Sequence, residues 1–143
     1  MFIGEYQHNL DDKGRLALPI KFRGELSDGA IVTRGLDDCL FVFSKKSWAE
    51  LAEKLAKLPL GQGDSRAFSR LMLAGAMDVS LDKQGRVIVP DYLRKFAHIG
   101  KKVVITGLYD RLEIWSEDVW NTYKAGIEKD SVKIAETLGE IGF

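Results

Sequence analysis

Apolar positions along the chain first alternate over short runs and only later fall into helical stripes. Phe2, Ile3, Tyr6 and Leu10 give residues 2–10 strand character ahead of a turn, Asp11-Asp12-Lys13-Gly14. Leu16-Ala17-Leu18 resumes as a short strand. Pro19 has no N–H to give a ladder and suits the first turn of a short helix over 20–26. Ala30-Ile31-Val32-Thr33 and Leu40-Phe41-Val42-Phe43 read as buried strands around a turn at 34–38. From Ser44, a hydroxyl N-cap, the period changes, and Trp48, Leu51, Ala52, Leu55 and Leu58 share one helical face. Pro59-Leu60-Gly61-Gln62-Gly63 breaks that helix. Asp64 or Ser65 is then expected to cap a second one, with Phe68, Leu71, Met72 and Ala76 on one side.

The cycle then restarts. A strand is expected over 77–81, a turn over 82–85, a strand at Val87-Ile88-Val89 and a short helix over 90–97. Val103-Val104-Ile105 and Leu112-Glu113-Ile114-Trp115 are strands, and Ser116-Glu117-Asp118 opens a helix with Val119, Trp120, Tyr123 and Ile127 on its apolar face. The turn is written twice. Leu10-Asp11-Asp12-Lys13-Gly14-Arg15 returns as Leu81-Asp82-Lys83-Gln84-Gly85-Arg86, and each copy ends in three apolar residues and Pro, at an offset of 71. Gly35, Asp38, Leu40, Ser44 and Trp48 match Gly107, Asp110, Leu112, Ser116 and Trp120 at an offset of 72, which implies one inserted residue in the loop between.

Each copy alone would have a marginal core. The expectation is therefore a mixed α+β, β-rich body in which two tandem repeats interlock about a pseudo-two-fold axis, with flanking helices. The first repeat is assigned to 5–48, linking helices to 49–76, the second repeat to 77–120 and a C-terminal helical tail to 121–143. In that tail Ile127, Ile134, Leu138 and Ile141 suit a short amphipathic helix at a subunit contact.

Composition narrows the chemistry. The 143 residues carry 21 basic and 21 acidic side chains, so no global charge draws the chain to nucleic acid or to an anionic membrane. Any such partner must be held by a local patch. One cysteine, Cys39, cannot form an internal disulfide and reads as a packed thiol. No secretory signal or membrane span is expected. His8 and His98 are isolated and no metal site, cofactor or small-molecule substrate is implied. No nucleophile elbow or P-loop is present, Gly61-Gln62-Gly63 lacks a dinucleotide loop's third glycine, and no catalytic residues are assigned.

Local patches do exist. Lys13, Arg15, Lys21 and Arg23 cluster at the first box, and Lys83, Arg86, Arg94 and Lys95 at the second. A guanidinium fork can pair with guanine O6 and N7 or with phosphate, and lysine supplies point charge. A structural reading stands beside this one: Asp11 and Asp82 lie four residues before Arg15 and Arg86, so each pair can simply fix its hairpin. Asp11, Gly14, Asp82 and Gly85 are assigned to shaping the turns, and Pro19 and Pro90 to scaffold.

The opening Met1-Phe2-x-Gly4-Glu5-Tyr6 and the paired boxes, ending Leu18-Pro19 and Val89-Pro90, resemble the MraZ family over residues 1 to about 123. That resemblance implies two AbrB-like (SpoVT-AbrB) swapped-hairpin domains in one chain. It also implies a closed ring of several subunits that binds short direct repeats upstream of its own division and cell-wall operon and represses it, in the cytoplasm at the nucleoid. Carried onto this sequence, it makes Arg15 and Lys13 the leading DNA contacts. Arg86 and Lys83 take the same places in the second box, and Lys21 and Arg23 support them. The lysine of the second box is moved by one position, which sets the two loops apart. An antitoxin-like protein-interaction module of the same fold is the competing reading, and it predicts a partner-binding tail.

Overall fold

A computed structural model describes residues 1–143. The first repeat supplies β1 (Phe2–Asn9), β2 (Arg15–Ala17), α1 (Ile20–Arg23), β3 (Ala30–Arg34), β4 (Leu40–Ser44) and α2 (Lys45–Ala56). The second supplies β5 (Met77–Val79), β6 (Arg86–Ile88), α4 (Asp91–Phe96), β7 (Lys102–Tyr109), β8 (Arg111–Ser116) and α5 (Glu117–Lys129). Between them lies α3 (Gly63–Ser69), continued by one π-helical turn over Arg70–Ala74. After them comes α6 (Ser131–Glu140).

The repeats are interlocked as their small individual cores require. Six antiparallel strands run in the order β1-β7-β8-β4-β3-β5, so each repeat's first strand adds to the other repeat's hairpin. β4 and β8 pair at the centre, with Phe41 opposite Glu113 on the pseudo-two-fold axis. A separate ribbon joins β2 to β6, with Leu16 opposite Val87 on the same axis. Eighteen buried side chains from both repeats form one core. Phe22 stands edge-on to both Phe2 and Tyr6, at 5.2 and 5.4 Å between ring centres. Burying one such side chain stabilises by roughly 1.5–3 kcal/mol.

The strand registers correct the offset read from the sequence. His8 faces Val103, whereas its counterpart Val79 faces Ala30, so β3 maps onto β7 at 73 residues, not 72. Thr33 then corresponds to Thr106, and the second hairpin turn is one residue shorter than the first. Matching glycines at 35 and 107 conceal this slip, because two residues gained before β7 and one lost in its turn leave a net shift of one by Leu40 and Leu112.

Other local expectations also shift. Ser44 caps α2 as expected, its hydroxyl accepting the Ser47 N–H at 3.2 Å. The α3 helix starts at Gly63, ahead of both candidate caps, with Gln62 at the N-cap and no side-chain bond. Phe68 is exposed there. Ser116 sits at the N-cap of α5 but its hydroxyl makes no cap bond. The linker is fastened to the first repeat and to α4. Thr33 Oγ1 donates to the Met72 carbonyl at 2.6 Å, Arg34 Nη1 to that of Leu71 at 3.1 Å, and Tyr92 Oη to that of Gly75 at 2.7 Å. Thr106, the counterpart of Thr33, has a buried hydroxyl with no partner, since no linker reaches its side.

Candidate nucleic-acid interface

The β2–β6 ribbon shows how the chain builds two like turns side by side. Strand alternation sends Leu16 and Val87 into the core, at 0% and 1% exposure, and leaves Arg15, Ala17, Arg86 and Ile88 facing outward. Arg15 lies opposite Ile88 and Arg86 opposite Ala17, so the two arginines share one face across the axis. The crossing is tightened by the Leu18 N–H donating to the Gly85 carbonyl and the Val89 N–H to the Gly14 carbonyl, at 3.0 and 2.8 Å.

Each turn is fixed by its own aspartate. Asp11 Oδ1 accepts the backbone N–H groups of Lys13 and Arg15 at 2.9 and 2.8 Å, and Oδ2 accepts Arg15 Nε at 2.6 Å. Asp82 repeats the pattern with Gln84, Arg86 and Arg86 Nε at 2.9, 2.9 and 2.8 Å. The backbone N–H of the arginine is the largest influence holding each carboxyl below the usual aspartate range, followed by the guanidinium and the second backbone N–H. Gly14 and Gly85 take φ of +79° and +73°, the left-handed conformation each turn needs. Each arginine is thus held by its Nε, and its two terminal amino groups make no hydrogen bond within the chain. That leaves the end of the fork for an outside acceptor.

The remaining candidate cations divide. Lys13 and Lys83 are exposed at the turn tips. Lys21 is exposed but folds back over the Tyr6 ring, 4.9 Å from its centre. Arg23 is half-buried. Its Nε donates to the Leu18 carbonyl at 2.8 Å, and its side chain lies across Gly85 of the other repeat. Arg94 lies across Gly14 in the reciprocal way, 3.0 Å from where a β-carbon would stand, and its Nε is buried without a partner. Arg23 and Arg94 therefore brace each turn from the opposite repeat. Sequence reasoning missed two further cations, Lys101 and Lys102, which end up beside the first turn. At an offset of 72 they align with Gly29 and Ala30, and the pairing of β1 with β7 was the only signal that could place them.

No group of three or more His, Cys, Asp or Glu side chains is arranged to hold a metal ion, and no helix is long and apolar enough to cross a membrane. The Cys39 thiol is fully buried and pushed well above its ordinary pKa, first by burial and then by the Glu113 and Asp37 charges.

A strand exchange within one chain, two Asp-braced arginine turns and a shared ribbon define the class: a tandem swapped-hairpin protein of the AbrB-like type. The family model described as "MraZ protein, putative antitoxin-like" matches residues 1–71 and again 72–140. The chain is 51% identical over 138 residues to the transcriptional regulator MraZ of Oenococcus oeni, with 96% of each chain covered. It is 50% identical over 142 residues to that of Caldicellulosiruptor saccharolyticus, covering 99% of each. It is 44% identical over 143 residues to that of Roseiflexus castenholzii, end to end. The chain belongs to the MraZ family.

Proposed function

We propose that this protein is a sequence-specific regulator that binds double-stranded DNA through the outward face of the β2–β6 ribbon and its two turns. The observation that carries the reading is the presentation of Arg15 and Arg86 on one face. Each is anchored through Nε to an aspartate, with the terminal nitrogens unbonded within the chain and the side chain partly exposed. A pre-positioned guanidinium loses little freedom on binding, and a bidentate pair with guanine discriminates by roughly 1–3 kcal/mol. Lys13 and Lys83 at the tips suit phosphates. The names of the relatives, all transcriptional regulators, support the same reading.

A ring of subunits repressing the protein's own division and cell-wall operon at the nucleoid completes the proposal. A neutral chain with few phosphate contacts binds weakly by itself. Several copies meeting repeats spaced near one helical turn, roughly 10 bp, gain avidity without new chemistry. The division into repeats over 5–48 and 77–120, linking helices over 49–76 and a tail over 121–143 belongs to this proposal. In that tail α6 and its C-cap leave Ile134, Leu138 and Ile141 exposed on one side, an apolar stripe suited to a neighbouring subunit.

The test is a gel-shift titration on the DNA upstream of the protein's own gene, comparing Arg15→Ala with Arg86→Ala. Loss of binding in Arg15→Ala with the oligomer intact is expected, and affinity that rises steeply with repeat number. Unchanged affinity in both variants removes the ribbon mechanism, and a single repeat bound as tightly as three removes the ring.

A further inference from the structure

The two turns are alike in their backbone and unlike in what lies beside them. Asn9 pairs with Lys102, and the Leu10 N–H donates to the Lys101 carbonyl at 2.7 Å. The end of β7 therefore lies one strand spacing, about 4.8 Å, from the residues that lead into the first turn. The register relating the two halves maps Lys101 and Lys102 onto Asp28 and Gly29. So the first turn is flanked by two cations from the second repeat. The matching residues of the first repeat are an acid and a glycine, with the Lys45 side chain lying over Gly29, and the pairing there ends at Val79, short of the second turn. Lys101, Lys102 and Asp28 are exposed, and none is in an ion pair.

Within the boxes the imbalance runs the other way. Lys13 and Arg15 balance Asp11 and Asp12, while Lys83 and Arg86 outweigh Asp82. The flanks reverse that order: Lys101 and Lys102 make the first turn's surroundings the more positive, while at the matching place in the first repeat Asp28 offsets Lys45. Exposed cations with no internal partner are the groups that release counterions on meeting a phosphate backbone. Two on adjoining backbone beside a pre-set arginine extend the basic surface along the strand direction.

Resting on the reading that the turns meet DNA, we propose that Lys101 and Lys102 are phosphate contacts for the first turn, donated across the fold by the second repeat. They make the first turn the leading half of each subunit's DNA contact, and Asp28 makes the second the weaker one.

The experiment measures binding of a fluorescent duplex, carrying the sequence upstream of the protein's own gene, from about 50 to 200 mM salt. It compares the parent chain with Lys101→Gln/Lys102→Gln, Lys101→Arg/Lys102→Arg, Asp28→Lys and the remote Lys129→Gln. The glutamine pair is expected to lower the slope of log affinity against log salt by roughly 0.9 per lysine for each bound subunit. The arginine pair should keep the parent slope, Asp28→Lys should steepen it, and Lys129→Gln should leave it unchanged. A parent chain that binds, loses binding with Arg15→Ala, yet keeps its slope in the glutamine pair overturns this inference and leaves the ribbon mechanism standing. So does an equal loss from Lys129→Gln. A parent chain that binds no duplex overturns the underlying reading itself. Should the glutamine pair unfold, Asp28→Lys decides alone: an unchanged slope there refutes the asymmetry.

Discussion

Gly85→Ala probes the crossing of the two repeats, because the β-carbon it adds meets the other repeat rather than its own. Gly85 holds φ +73°, and an L side chain in that region costs about 1–2 kcal/mol. The new methyl also overlaps the Nε, Cδ and Cζ atoms of Arg23. Those atoms cannot swing aside freely, since Nε donates to the Leu18 carbonyl at 2.8 Å. Displacing a charged donor from such a bond adds roughly 1.5 kcal/mol, for a total near 3 kcal/mol. The matching change at Gly14 is milder. There the overlap is with the end of the Arg94 guanidinium at 3.0 Å, whose one ion pair, with Asp91, is a long 3.5 Å. Gly14→Ala should therefore cost only the backbone strain, about 1–2 kcal/mol. A double-mutant cycle isolates the contact: in an Arg23→Ala background Gly85→Ala should also cost only that strain, giving a coupling of roughly 1–2 kcal/mol. Urea unfolding at one fixed protein concentration measures all five proteins, since assembly would make stability concentration-dependent. Additive costs in the cycle, or equal costs at Gly14 and Gly85, would refute the reasoning.

Three further outcomes are expected. Glu113→Ala removes the buried acceptor for Trp115 Nε1 and the partner of Arg111, both at 3.2 Å, and should cost about 2–3 kcal/mol in urea midpoints converted with the parent m-value. His8 titrates below its ordinary 6.5, through burial first and the Arg23 charge second, so the unfolded chain takes its proton more readily than the native one. Stability should accordingly fall as pH drops below about 6.5 and level off beneath the depressed native value. His8→Gln should remove that part of the acid decline when unfolding midpoints are compared between neutral and mildly acidic buffer. Cys39, buried and held as the thiol, should resist a thiol-reactive dye in the native protein and react at once in urea, and fast labelling of the native chain would contradict the packing.

The sequence by itself determined whatever is settled within about five residues. Asp11 and Arg15, or Asp82 and Arg86, find each other across a tight turn because a carboxylate, a glycine able to take positive φ and a guanidinium are spaced to do so locally. The duplication, the short helices after Pro19 and Pro90, and the amphipathic tail were legible for the same reason: periodicity and breakers are local signals. Partnership between distant segments was not. Strand exchange was expected only because each half is too small to bury a core alone. Which strand meets which, and in what register, was decided by packing one shared interior. That packing carried Arg23 to Gly85 and Arg94 to Gly14, shifted β7 against β3 by one residue more than the repeats suggested, and set Lys101 and Lys102 beside a turn almost ninety residues earlier in the chain. A side chain's reach can be read from its neighbours in sequence, but its place on a surface follows from burying the hydrophobic residues around it, and that is a property of the whole fold.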